Sequence, residues 1–192
     1  MYIESYNNIK ILGETRDDAV GEAFDKCGKI MGLDYPAGPL IDVLSKDGDP
    51  FKFNFPNTKV PGMDFSFSGI KTSFLYFIND NVKENSDFIE NNLNDICASI
   101  QKKLVEMLLD KFTLAIKKYR VKDISICGGV AANSSLRKEI NKLSEKHNLE
   151  VHIPEMEYCT DNAAMIANYA HYMYNDKNFS DFNIVPYSKN II

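Results

Sequence analysis

The chain reads as an α/β protein with parallel strand pairing, and three observations lead there. A short strand over Asp123–Cys127 enters a Gly128–Gly129 turn. A segment with helical periodicity follows from Ser134 to His147. A second strand, Val151–Ile153, is closed by Pro154 before another helical segment from about Asn162 to Tyr174. Strand, turn, helix, strand, helix in this order is the alternation of an α/β domain with parallel pairing.

The elements before this unit follow in turn. Asn8 to Leu12 reads as the end of a strand, and Thr15 with Asp18 reads as a capping-box start to a helix. Its apolar positions Ala19, Val20, Ala23, Phe24, Cys27, Ile30 and Met31 recur at helical spacing. Asp18, Glu22 and Asp25 line another face at i, i+4 and i+7, where like charges repel unless something polar lies over them. A solvated acidic face is the plain alternative for that stripe.

Tyr35-Pro36-Ala37-Gly38-Pro39 is a turn, with Gly38 leaving room for something against the backbone, and Asp42 falls in a short helix after it. Residues 45–62 read as an irregular loop. Phe65 to Gly69 alternates like a short strand before a helix with Ile70, Phe74, Phe77 and Ile78. Residues 79–92 are polar and rich in asparagine, which predicts an exposed connection. From Leu93 to Tyr119 an apolar period near 3.6 predicts one long core helix. The final helix would pack through Ala163, Ile166, Ala167, Ala170 and Met173.

Composition narrows the function classes. At 192 residues, with 44% hydrophobic and 26% charged, the chain has the make-up of a globular protein with a real core. No apolar run approaches the ~20 residues that span a bilayer, and MYIESYNNIK lacks the features of a signal peptide, so a cytoplasmic location is expected. Cys27, Cys97, Cys127 and Cys159 form no Cys-x-x-Cys pair and read as buried free thiols. A net charge of −5 argues against holding nucleic acid by overall charge; a local patch or a partner must neutralise phosphates.

The functional signal lies in two runs, Gly128-Gly129-Val130-Ala131-Ala132-Asn133 and Cys159-Thr160-Asp161-Asn162-Ala163-Ala164. Glycines at a strand-to-helix turn let the backbone approach a phosphate, and the helix they open offers N–H groups to the anion. A carboxylate at the start of the second helix can hold a divalent metal on that phosphate. The pair reads as a nucleotide site, and it is not a Walker loop, because Gly-x-x-x-x-Gly-Lys-Ser/Thr is absent.

With ILGETRDDAVGEAFDKCGKIMGLDYPAGP at residues 11–39 and MDFSFSGIKTS at residues 63–73, these strings resemble the tRNA N6-adenosine threonylcarbamoyltransferase (TsaD) family, formerly labelled glycoprotease. The likeness runs from about Ile11 to Pro186. It implies one lobe, residues 1–192, of the two-lobed actin-like or sugar-kinase-type fold, the C-terminal one, with an unmatched sheet edge and an exposed apolar face. The family pattern begins upstream with a His-x-x-x-His pair and a Ser-Gly-Gly-His-Thr turn, neither of which is in this chain.

By resemblance, Asp25, Gly38, Asp42 and Asn133 contact the nucleotide part of the substrate, Gly128 and Gly129 form its phosphate turn, and Asp161 is a metal ligand. Ala37 stands where a glycine is common in the family. The implied reaction moves a threonylcarbamoyl group from threonylcarbamoyl-AMP to N6 of the adenosine 3′ of the anticodon, in tRNAs reading codons that begin with A. The implied cofactor is one divalent metal, iron or zinc, whose two histidine ligands are missing here. The implied partners are tRNA, a fold-related subunit and a small ATPase, with no membrane.

From the residues themselves, no general base stands out. Ser68 and Lys71 read as a capping serine and a surface lysine, and His147, His152 and His171 as surface or half-buried histidines without metal spacing. No His-Glu-x-x-His supports a protease. Two other classes remain open: a non-catalytic scaffold of the same fold, against which Asp25, Gly38, Asn133 and Asp161 count, and a small-molecule kinase, which has no reason to carry DFSFSGIKT.

Overall fold

The structure is a computed structural model that describes residues 1–58 and 60–185; Pro186, where the family likeness ends, lies outside the described residues. The chain divides into two units, Met1–Cys159 and a second beginning at Thr160.

In the first unit the chain opens with an antiparallel hairpin, β1 (Tyr2–Ser5) and β2 (Asn8–Lys10). Only its second strand was legible in the sequence; Tyr2 in the first stacks on Tyr119 at 4.9 Å. The helix expected after Thr15 begins only at Val20. Thr15 Oγ1 donates to the Asp18 carbonyl at 2.7 Å, making a local turn in place of a capping box, and α1 runs Val20–Ile30 with Ala19 at its N-cap. Its buried face is Ala23, Phe24, Cys27 and Gly28. The next helix, α2 (Ala37–Leu44), packs against it and contains Asp42 as expected. A Cβ on Gly28 would stand 2.2 Å from the Ala37 Cβ, so this close approach requires glycine.

A turn of 3-10 helix, Ser45–Asp47, leads into the irregular loop. The strand expected over Phe65–Gly69 reduces to a single parallel bridge between Thr15 and Phe65, because α3 (Ser68–Glu84) already starts at Ser68. The expected exposed connection over 79–92 is mostly helix. Only 85–87 separates α3 from α4, which spans Phe88–Tyr119, 32 residues. The asparagines there serve the helices: Asn81 Nδ2 donates to the Phe77 carbonyl and Asn92 Nδ2 to the Phe88 carbonyl, each one turn back. Meanwhile Phe77, Val82, Phe88 and Ile89 pack against the core.

The long helix runs through two apolar clusters. One joins its Ile96, Ile100 and Leu104 to Phe24, Ile41, Phe67, Ile70 and Phe74. The other joins Val105 and Ile116 to Ile124, Leu136 and Ile140. The second cluster holds the crossover unit: β3 (Asp123–Ser125), a 3-10 turn Gly129–Ala132, α5 (Ser134–His147) and β4 (Glu150–His152). Asp123 pairs in parallel with Glu150, Ile124 with Val151 and Ser125 with His152, as the order of elements predicted. The strand is less buried than expected, since only Ile124 of β3 is covered. The hairpin and this pair are separate two-stranded sheets, so the architecture is mixed and mainly helical.

In the second unit α6 (Ala163–Asn175) begins as expected, with Asn162 Oδ1 accepting from the Met165 N–H at 2.9 Å. No residue of α6 is buried, and Ile166 of its apolar side is 64% exposed. Among the described residues no helix is long and apolar enough to cross a membrane.

Cys27, Cys97 and Cys159 are buried as expected, whereas Cys127 is exposed just past β3. Burial pushes the Cys27 and Cys97 thiols up to about 12. In the native protein at pH 8 a thiol-specific disulfide reagent is expected to label Cys127 rapidly and Cys27 and Cys97 only after denaturation; fast labelling that persists in Cys127→Ser would contradict this. Gly28→Ala is expected to lower stability by roughly 1–3 kcal/mol through overpacking at the α1–α2 crossing, read as a shifted urea midpoint. An unchanged midpoint would place the crossing elsewhere.

Candidate functional site

A helix leaves its first N–H groups without partners, and three helices of the first unit take theirs from aspartates distant in sequence. The α2 start shows why. Its N-cap is Pro36, which offers no side-chain acceptor, and Asp25 of α1 fills the gap: its Oδ1 accepts the Ala37 N–H at 2.8 Å and the Gly38 N–H at 3.3 Å. Asp25 and Gly38 are therefore brought into direct contact. The remaining carboxylates of the acidic stripe are also covered, since Lys26 Nζ lies 2.6 Å from Asp18 and 2.8 Å from Glu22. The repulsion anticipated on that face is neutralised within the protein.

From α2, Asp42 reaches α5. Its carboxylate accepts the Ser134 N–H at 3.1 and 3.2 Å and the Ser134 hydroxyl at 2.8 Å. Beside it, Asn133 is the N-cap of α5, with Oδ1 accepting the Leu136 N–H at 2.9 Å. Its Nδ2 donates at 2.6 Å to Oε1 of Gln101, whose Nε2 donates at 2.6 Å to Ser45 Oγ, which in turn donates to the Asp42 carbonyl at 3.0 Å. Asn133 and Gln101 are buried, so this chain of bonds from α5 through α4 to α2 is a satisfied internal network.

The glycine turn differs from expectation in one respect. Gly128 has φ +86°, a conformation that L side chains rarely adopt, but the glycines open the 3-10 turn Gly129–Ala132 and not α5 itself. The α5 N-terminus starts only after Asn133, and the Asp42 carboxylate already sits on its first amide. The glycines keep an open approach: both are exposed, and nothing lies within 4 Å of a Cβ built on Gly129. Val130 of this turn packs against the α1–α2 cluster together with Val20. Asp25, Gly38, Asp42, Asn133 and the Gly128–Gly129 turn thus surround one junction of α1, α2 and α5.

The third aspartate, Asp17, was not singled out by sequence. It accepts four hydrogen bonds at the α3 start, from Ser66 Oγ (2.5 Å), Ser68 Oγ (2.6 Å), the Phe67 N–H (2.7 Å) and the Ser68 N–H (3.2 Å). Partial burial works to raise its pKa, but the Ser66 and Ser68 hydroxyls and the two amides outweigh it and hold the carboxyl at about 2. Ser68 is not the expected capping serine: it is the first residue of α3 after the N-cap Phe67, and its hydroxyl donates to Asp17, which does the capping. No local pattern marks a remote cap of this kind. Gln101 did leave a signal, a polar residue one turn from Cys97 on the apolar stripe of α4.

Asp161 is exposed and immediately precedes Asn162, the N-cap of α6, in the second unit. The described residues do not make a metal site around it. One group brings three ligand types together, Asp123, Glu150 and His152, with ligand atoms within 4.8 Å of one another, and Asp161 is not in it. That group lies on the exposed side of the β3–β4 pair, with His152 Nε2 3.3 Å from Asp123. His171 Nε2 contacts Asn175 Nδ2 at 3.1 Å.

Comparison with known proteins adds an independent finding. The family model for TsaD, tRNA N6-adenosine threonylcarbamoyltransferase, matches residues 1–168. The chain is 47% identical over 184 residues to the tRNA N6-adenosine threonylcarbamoyltransferase of Cytophaga hutchinsonii, covering 96% of this chain and 54% of that protein. It is 46% identical over 187 residues to that of Christiangramia forsetii (97% and 55%) and 52% identical over 169 residues to that of Fervidobacterium nodosum (86% and 49%). The chain spans about half the length of the curated relatives it matches.

The Asp17 clamp generates a pH prediction. A carboxyl held at about 2 against an ordinary 3.8 adds stability that is present above pH ~4 and is lost as pH falls toward 2. Asp17→Asn is expected to lower the urea midpoint at pH 7 and to flatten the decline of stability between pH 4 and 2. Equal acid slopes for the variant and the parent would mean that the clamp is not formed in solution.

Proposed function

Because the chain belongs to the tRNA N6-adenosine threonylcarbamoyltransferase family, we propose that it forms one lobe of the two-lobed actin-like fold and that its α1–α2–α5 junction is the nucleotide side of the transferase site. The reaction is transfer of the threonylcarbamoyl group from threonylcarbamoyl-AMP to N6 of the adenosine 3′ of the anticodon, in tRNAs reading codons that begin with A, with AMP leaving.

The observation that supports this most is convergence. Asp25, Gly38, Asp42 and Asn133 come from separate stretches of sequence and meet at one junction through direct hydrogen bonds and adjoining helix starts. In this reading, the Asp25 and Asp42 carboxylates, already fixed by backbone amides, accept from ribose hydroxyls with their remaining lone pairs. Gly38 has only the Phe24 Cβ at 3.8 Å from a built Cβ and admits a flat adenosine. Gly128 and Gly129 offer backbone to the phosphate. The protein's part is positioning: an amine that is a weak nucleophile and a labile mixed anhydride react fast only when held in register.

The divalent metal implied by the family, iron or zinc, would take Asp161 as one ligand, and the residues of this chain do not supply its histidines. The partners in this reading are tRNA, a fold-related subunit and a small ATPase, and the compartment is the cytoplasm.

Calorimetry with AMP on the full chain tests the proposal, with folding checked by circular dichroism. Asp25→Asn keeps an oxygen for the α2 amides but removes the charge, and it is expected to weaken AMP by about tenfold or more. Absence of AMP binding by the folded chain, or unchanged binding in Asp25→Asn, would overturn the assignment of the junction.

A further inference from the structure

A cleft of about 690 Å³ opens between the Ser45–Asp47 turn, α4 and the first turns of α5. Four lysines line it, Lys46, Lys102, Lys138 and Lys142, against two carboxylates, Glu106 and Glu139. Lys102 pairs with Glu106, and Lys142 with Glu139 at 2.6 Å. Lys46 and Lys138 make no ion pair among the described residues, so the lining carries more lysines than carboxylates in a chain whose net charge is −5. At its rim stands Phe51, 76% exposed, with Lys102 Nζ 4.8 Å from the ring centroid.

Uncompensated lysines beside an exposed aromatic face are what a single strand of nucleic acid requires: cations along its phosphates and a flat surface for a base. We propose that this cleft is a groove for a single-stranded segment of RNA, with phosphates on Lys46 and Lys138 and a base stacked on Phe51. The choice of RNA rests on the tRNA-directed reading above. The location agrees with it, because Ser45, Gln101 and Ser134 line the cleft and also belong to the bonds around Asp42 and Asn133. A strand in the groove lies beside the junction assigned to the adenylate. The local excess of positive charge also answers how an acidic chain meets a polyanion.

Fluorescence anisotropy with a fluorescein-labelled single-stranded RNA of about 12 nucleotides, on the full chain across a salt series, tests this. The Lys46→Ala/Lys138→Ala double variant is expected to bind about tenfold more weakly and to reduce the slope of log K against log salt by roughly 1.4. Phe51→Ala is expected to lose about tenfold with its salt slope unchanged. Lys83→Ala, a change at an exposed position of α3 outside the cleft, should bind like the parent. Failure of the parent chain to bind at low salt, equal binding by all variants, or an equal loss in Lys83→Ala overturns the groove. Full competition by tripolyphosphate with no effect of Phe51→Ala reduces it to a simple anion site and also overturns it. The two readings fail separately: loss of AMP binding in calorimetry with RNA binding intact removes the adenylate assignment alone.

Discussion

Carboxylates that cap helices from a distance hold this molecule in shape. Asp25 of α1 fixes the start of α2, Asp42 of α2 fixes the start of α5, and Asp17 fixes the start of α3. Each bond pairs a full negative charge with the positive end of a helix dipole and with N–H groups that would otherwise lack partners. Apolar packing sets how close these helices lie, but it is tolerant of sliding and rotation. A charged acceptor aimed at one or two particular amides is not. The three aspartates therefore fix the angular register that the apolar clusters leave loose, and two of them are the residues around which the candidate site is built.

That double duty explains why the candidate site is held so firmly by the protein's own bonds. The Asn133–Gln101–Ser45 chain removes the freedom of an otherwise adaptable amide, and Gly128 bends the backbone where a side chain would be strained. Groups held this way need little reorganisation when charge appears beside them, which is the condition under which fixed dipoles act most strongly. The same arrangement carries a cost in adaptability: the α5 N-terminus, a natural anion seat, is already taken by Asp42.

How much of this was legible in the sequence follows from the range of each interaction. α5 and the parallel partners Ile124 and Val151 could be read because periodicity and a glycine turn are local signals. The long helix was read from Leu93 onward, but its first turn and the end of α3 were hidden by asparagines whose side chains bond back to the helix. The Thr15–Asp18 pattern imitated a cap and made a turn, since the real partner of this stretch is the Phe65 strand fragment fifty positions on. Of the site, the residue types and their motifs were legible, and their mutual bonds were not. Asp17 has no local pattern at all, and the acidic stripe showed its charges but not Lys26 and the α2 amides that neutralise it.

The path of α4 has a consequence for how the molecule comes apart. At 32 residues it extends ~48 Å, and it contributes Leu104 to one apolar cluster and the adjacent Val105 to the other. Neighbouring residues on one rigid rod cannot be released independently. Loosening the crossover unit tilts the same helix that closes the α1–α3 cluster, so the two clusters behave as one cooperative block, with backbone amides near Leu104 and Val105 opening only when the whole unit does, and the outer turns near Phe88 and Tyr119 fraying on their own.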